Sequence, residues 1–169
     1  MKKPGKRGAR LTHLDQAGRA RMVDVGSKPE TLRVARAEAL VQMLPATLAL
    51  VERGSGKKGD VLATARIAAI AALKRTAELI PLCHPVRVVG TDVALTPDAR
   101  LPGVRIEVQV HAFDRTGVEM EAMVGAAAAA LTIYDMVKGV ERGVTIGPLR
   151  LLEKSGGRSG VWRRPRRSP

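Results

Sequence analysis

The chain has 169 residues and a net charge of +13, with one cysteine and a single Phe, Tyr and Trp. That length suits one domain with a sizeable core, the lone Cys83 excludes an internal disulfide, and three aromatics are too few for a base-stacking nucleic-acid platform. Most of the charge stands in residues 1–10 and 161–169, which are expected to be disordered basic tails flanking a single domain of residues 11–160.

Residues 31–43 read two ways: their types favour helix, yet Leu32, Val34 and Leu40 fit a period of two with Arg36 and Glu38 interspersed. Ser27 and Glu30 are spaced as a capping box ahead of them. Residues 46–53 read as a short helix with Pro45 at its first turn. After a glycine- and lysine-rich loop at 54–59, Asp60 is placed to cap a long helix through Ile80, stopped by Pro81. The period then shortens. Val86, Val88, Thr91, Val93 and Leu95 mark a strand, and residues 97–103 a turn. Val104, Ile106, Val108, Val110 and Ala112, alternating with polar residues, mark a second strand. A helix over 119–140 follows, broken by Gly143. Residues 144–152 form a last strand whose Gly147 and Pro148 mark an edge or a bulge. With 31–43 as a strand, the order is β-α-β-β-α-β: an α+β, ferredoxin-like fold with helices packed on one face of an antiparallel sheet.

Chemistry-bearing residues gather on the second long helix and in three loops. Glu119 and Glu121 are two apart, which in extended backbone puts both carboxylates on one side; Asp135 and Lys138 are three apart on one helical face. Such a pair is ordinarily a solvated ion pair. Here residues 126–130 are all alanine and Leu131, Ile133 and Met136 follow, leaving almost no polar face, so the charges point to a pocket or an interface. The two pairs are too far apart along a continuous helix to meet readily in one cluster, so a shared site needs a bend, a neighbouring subunit or a long substrate.

Residues 56–60, Gly-Lys-Lys-Gly-Asp, place cations before a helix N-terminus, a setting that favours anions although P-loop spacing is absent. His84 lies in a proline-bounded turn able to present an imidazole for acid–base work, beside Cys83, a small part-buried thiol. Residues 153–160 form a second cationic glycine loop suited to anionic oxygens. His84, Glu119 and Glu121 could ligate a metal in principle, but no HExxH or CxxC spacing supports it. No cofactor is expected, and magnesium enters only as a companion of substrate phosphates. The apolar stretch at 61–73, interrupted by Arg66, is too short and charged to cross a bilayer, and no apolar run follows the basic N-terminal residues before Met22. A cytoplasmic protein with no membrane role and no specific nucleic-acid partner is expected.

Taken together, LTHLDQAGRARMVDV, KKGDVLATARIAAI, AELIPLCHP, TGVEMEA, ALTIYDMVK and LLEKSGGRSG, in this order and spacing, resemble one family. It is the cyclic pyranopterin monophosphate synthase family, also called the molybdenum cofactor biosynthesis protein C family, and the resemblance spans residues 11–160. It implies a ferredoxin-like subunit in a homohexamer, a trimer of dimers with active sites at subunit interfaces. It further implies a lyase that turns a small-molecule substrate, cyclised dihydro-GTP, into cyclic pyranopterin monophosphate and pyrophosphate. Carried over by position, Asp135 and Lys138 are expected to be catalytic, with Lys138 as general acid or base and Asp135 orienting it. Arg33, Lys58, Cys83, His84, Glu119, Glu121 and Lys154 are expected to bind substrate, the cations holding the triphosphate. Arg158, where many relatives have lysine, and Glu153, where some have alanine, depart from the pattern. The competing reading is a non-enzymatic oligomeric module that binds RNA or nucleotide through its cationic loops and tails, with strong salt dependence.

Overall fold

The computed structural model describes residues 13, 14, 17–54 and 59–165. Among them the elements run β1 (Thr31–Gln42), α1 (Pro45–Glu52), α2 (Val61–Leu73), α3 (Thr76–Leu79), β2 (Val88–Asp98), β3 (Gly103–Asp114), α4 (Glu119–Val137), β4 (Thr145–Ser155) and β5 (Trp162–Arg163). The strands form one antiparallel sheet in the order β2-β3-β1-β4-β5. The expected α+β, ferredoxin-like architecture is present, with helices on one face.

The ambiguous first element is a strand, and its packing explains why. Ala35, Ala37, Ala39 and Val41 recur every second residue and are fully buried, facing the helices, while β3 and β4 pair with β1 on either side. Burial on one pleated face outweighs the helix propensity of alanine and leucine. Since no helix starts at residue 31, Glu30 caps nothing; its carboxylate lies 3.9 Å from Arg87 and 3.7 Å from Arg115.

Asp60 does cap α2, its Oδ1 accepting from the Ala63 N–H at 2.9 Å. The helix expected to continue to Ile80 stops at Leu73. The buried Thr76 hydroxyl donates to the Leu73 carbonyl at 2.9 Å, a local bond that competes with the helical ladder, and Arg75 leaves helical geometry before α3 begins. At the other long helix, α4 ends at Val137 rather than 140, where the Val140 N–H turns back to the Val137 carbonyl beside Gly139.

α4 is long and apolar enough to cross a membrane by length and composition alone. Its small residues serve the core instead: Ala122, Ala126, Ala129, Ala130 and Ile133 are fully buried. A side chain on Gly125 would begin 3.2 Å from Val108 and 3.5 Å from the Ala69 carbonyl. The close approach that the alanines permit is thus used within the chain, between α4, α2 and the sheet.

β4 carries the bulges that Gly147 and Pro148 announced. Its register against β1 shifts between Ala39 and Val41 and again between Arg36 and Ala37, where Leu152 is passed over. Residues 161–165, expected within a tail, contain β5, which returns to pair with Glu153 and Lys154; residues 1–12 and 166–169 lie outside the described set.

The sheet face away from the helices bears cross-strand ion pairs. Glu38, only 3% exposed, accepts from Arg150 Nε at 2.5 Å and Arg105 Nη1 at 3.3 Å. Arg36 bridges Glu107 at 2.9 Å and Glu153 at 3.7 Å.

Gly103 opens β3 against the end of β1, and a Cβ there would overlap the Val41 carbonyl oxygen and stand 3.1 Å from the Gln42 Cα. Gly103→Ala is expected to lower stability by about 2 kcal/mol through forced backbone displacement. It should be read as a drop in the urea midpoint at unchanged m-value.

Candidate functional site

The row of β1 residues that builds the core ends in charge. Arg33 stands on the same face as Ala35, one pleat beyond the apolar residues, and is buried. Its Nε donates to the Asp114 carbonyl and its Nη2 to the Arg115 carbonyl, each at 3.0 Å, so the guanidinium is fixed to the end of β3. Directly above it pass Gly156 and Gly157, both at positive φ. A Cβ on Gly157 would overlap the Arg33 guanidinium, and one on Gly156 the Leu32 carbonyl oxygen. The glycine pair is therefore demanded both by its left-handed backbone and by the arginine beneath.

Lys154, paired across the sheet with Ala35, sits at the stem of this loop. Its Nζ donates to the Ser159 hydroxyl and, at 2.9 Å, to the Gly160 carbonyl. Arg33, Lys154 and Glu119 meet in a cavity of about 680 Å³, bounded also by Lys28, Arg115 and Arg158. Among the described lining residues five cations face a single carboxylate. The Thr31 hydroxyl, which also lines the cavity, is buried with no hydrogen-bond partner. Such a surface suits a small polyanion.

Arg33, Lys154 and Glu119, all singled out in the sequence, line one cavity, whereas Lys28, Thr31 and Arg115 were not singled out. The signal for Arg115 was its place just before the Thr116-Gly117 turn, and Thr31 shares the strand parity of Arg33. Lys58 lies outside the described residues.

Glu121 does not join Glu119. Helix α4 has already begun at Glu119, so two residues turn the side chain by about 200°, and the expectation based on extended backbone fails. Glu121 is 3% exposed; its Oε1 accepts from Cys83 Sγ at 3.9 Å, and its Oε2 is buried with no partner. Loss of hydration, reinforced by the charge of Glu119, pushes the Glu121 carboxyl up to about 7 despite a backbone hydrogen bond acting the other way. Burial, and then Glu121 itself, push the Cys83 thiol up to about 11. Cys83 is thus a protonated thiol at neutral pH, as its surroundings suggested. Glu121 also lines a smaller cavity of about 180 Å³ with Lys74, Arg75, Thr76 and Pro85, and the half-buried His84 adjoins Cys83 in the chain.

Asp135 and Lys138 form the expected i,i+3 pair, Nζ to Oδ1 2.6 Å, with both side chains about half exposed. The hydrogen bond to Asp135, and then its charge, raise the Lys138 pKa. Sixteen residues of continuous helix separate Glu119 from Asp135, about 24 Å at 1.5 Å per residue. The chain therefore holds three separate groups: the cationic cleft, the Cys83–Glu121 contact, and the Asp135–Lys138 pair. Among the described residues no three or more His, Cys, Asp and Glu side chains converge as metal ligands.

Fold and cleft together define a ferredoxin-like protein shaped to hold an anionic small molecule. The chain belongs to the MoaC family, whose model matches residues 22–157. It is 56% identical over 156 residues to the cyclic pyranopterin monophosphate synthase of Thermomicrobium roseum, covering 92% of this chain and 94% of that protein. To the proteins of the same name from Brucella ovis and Brucella melitensis it is 55% identical over 153 residues, covering 90% of this chain and 93% of each. The family named by the six sequence blocks is the family found.

Proposed function

We propose that this chain is the lyase that makes cyclic pyranopterin monophosphate from (8S)-3',8-cyclo-7,8-dihydroguanosine 5'-triphosphate in molybdenum cofactor biosynthesis, working in the cytoplasm. The observation that carries the reading is the cleft itself: a rigid buried guanidinium and four further cations around one cavity, in a chain that is more than half identical to relatives bearing that activity in their names.

In this reading Arg33 and Lys154 hold the triphosphate, with Lys58 completing the clamp. A substrate oxygen attacks the innermost phosphorus, the bond to the outer two phosphates breaks, and the cations stabilise the departing pyrophosphate. Magnesium, where it takes part, arrives on the phosphates. The cluster of Cys83, His84 and Glu121 faces the pterin part, and a carboxyl that titrates near neutrality suits proton relay there. Lys138, held by Asp135, is the principal acid or base. Because that pair lies a helix length from its own cleft, a neighbouring subunit delivers it, within a homohexamer built as a trimer of dimers.

Incubating the protein with the cyclised dihydro-GTP should yield pyrophosphate and the cyclic phosphate in equal amounts. Absence of both products from a verified substrate would overturn the reading.

A further inference from the structure

We infer that Arg164 is a positioning residue for Lys154: with Trp162 it clamps β5 onto the end of β4 and so fixes the loop that holds the Lys154 ammonium. The inference rests on the reading of the cleft as a phosphate site, and it concerns residues beyond the 22–157 span of the family match.

A strand of two residues has little hold on a sheet by itself. β5 pairs only Trp162 with Lys154 and Arg163 with Glu153, and the chain between them must fold back over Arg33. The additional attachment comes from Arg164. Its backbone N–H donates to the Leu152 carbonyl at 2.8 Å and its Nε to the Leu151 carbonyl at 2.6 Å. Both carbonyls belong to the bulge where β4 loses register with β1, a place where ladder partners are disrupted. The guanidinium carbon then lies 5.8 Å from the centre of the Trp162 ring, within cation–π range. One side chain thus ties the bulge of β4 to the aromatic residue of β5. Arg163 adds a weaker tie, donating to Glu153 at 3.2 Å.

This attachment reaches Lys154 through the loop it closes. Lys154 is the cross-strand partner of Trp162, and its ammonium is held by Ser159 and Gly160, which Val161 joins to β5. Gly156 and Gly157 of the same loop roof Arg33. Arg164 is absent from the cavity lining, so it acts on a ligand only through the loop. If the clamp is released, Ser159 and Gly160 no longer hold the lysine over the cavity, and ordering of a long side chain is deferred to the binding event. Immobilising one such side chain weakens binding by roughly tenfold.

The test uses the full chain and two readouts: titration calorimetry with inorganic triphosphate, and steady-state kinetics with the cyclised dihydro-GTP. Arg164→Ala should weaken triphosphate binding and raise KM by roughly tenfold, with kcat within about twofold of the parent. Trp162→Ala should behave alike. Arg164→Lys, which keeps a donor and a cation over the ring, should recover most of the affinity and decides the matter if the alanine variant does not fold. Lys154→Ala in the same titration separates the two levels of argument. If it binds triphosphate as the parent does, the cleft is not the phosphate site and both readings fall. If it binds weakly while folded Arg164→Ala and Trp162→Ala bind normally, or if Arg164→Ala lowers kcat with KM unchanged, the clamp is refuted and the phosphate cleft stands.

Discussion

Lys138→Ala is expected to slow pyrophosphate release from the cyclised nucleotide by two to four orders of magnitude, the range for loss of a positioned proton donor or acceptor, while leaving the fold unchanged. The fold should survive because the Lys138–Asp135 pair is half exposed, and surface pairs of this kind contribute little to stability. The chemistry should not, because Asp135 keeps this ammonium charged, first by hydrogen bond and then by Coulomb attraction. A lysine held in its protonated form acts as an acid or as a fixed cation toward developing charge. Single-turnover release of pyrophosphate measures the effect, with sedimentation confirming assembly; a parental rate in the assembled variant would remove Lys138 from the chemistry. The 24 Å separation along α4 adds a sharper expectation. Lys138→Ala and Arg33→Ala, each inactive alone, should regain part of the activity when mixed and reassembled, since some interfaces then combine an intact cleft from one subunit with an intact lysine from another. No recovery after verified subunit exchange would place the whole site within one copy.

Glu121→Gln should stabilise the protein by about 3 kcal/mol at pH 8 and by almost nothing at pH 4. The folded carboxyl titrates at about 7 against an ordinary 4.5. Between those values the native state retains a proton that the unfolded chain releases, so stability falls as pH rises through the window, and the full cost is present above pH 7. Glutamine keeps the shape and removes the charge, flattening that slope. Below pH 4.5 the parent carboxyl is protonated in both states and carries no charge to remove, which is why the gain does not extend to low pH. Urea midpoints at pH 4, 6 and 8 give the comparison; a variant that loses stability with pH as steeply as the parent would show that Glu121 is not the group responsible. The same carboxyl, titrating at about 7, is present in both protonation states near neutral pH and is chemically able to pass a proton.

What could be read in the chain, and what could not, follows from the range of the interactions. Asp60 and its helix were legible because a cap is local, spanning three residues. The alternation in β3 was legible because its two faces differ in polarity throughout. β1 was ambiguous because alanine carries little strand preference, and only partners more than sixty residues away make it a strand. The break after Leu73 depends on one threonine hydroxyl turning inward, which periodicity does not register. Around the site, the cationic and glycine-rich segments were visible as composition, but the seat of Arg33 beneath Gly157 required the sheet that brings residues 33 and 157 together. Glu119 and Glu121 were paired by counting along an extended chain; the start of α4 at the first of them sends the two carboxyls to different cavities. β5 was concealed by its own charge, since a two-residue strand among arginines and glycines has the composition of a tail.

The position of β1 in the sheet also governs when the molecule can fold. The strand at the centre is the first one synthesised, yet its two neighbours, β3 and β4, end at residues 114 and 155. On the ribosome one edge of β1 therefore stands unpaired until residue 114 has emerged and the other until residue 155, and the pairing that covers them closes loops of long sequence separation. Folding of this kind is slow for its size and passes through states with exposed strand edges. Synthesis rate and chaperone supply, more than native stability, should set the yield of this protein in a cell.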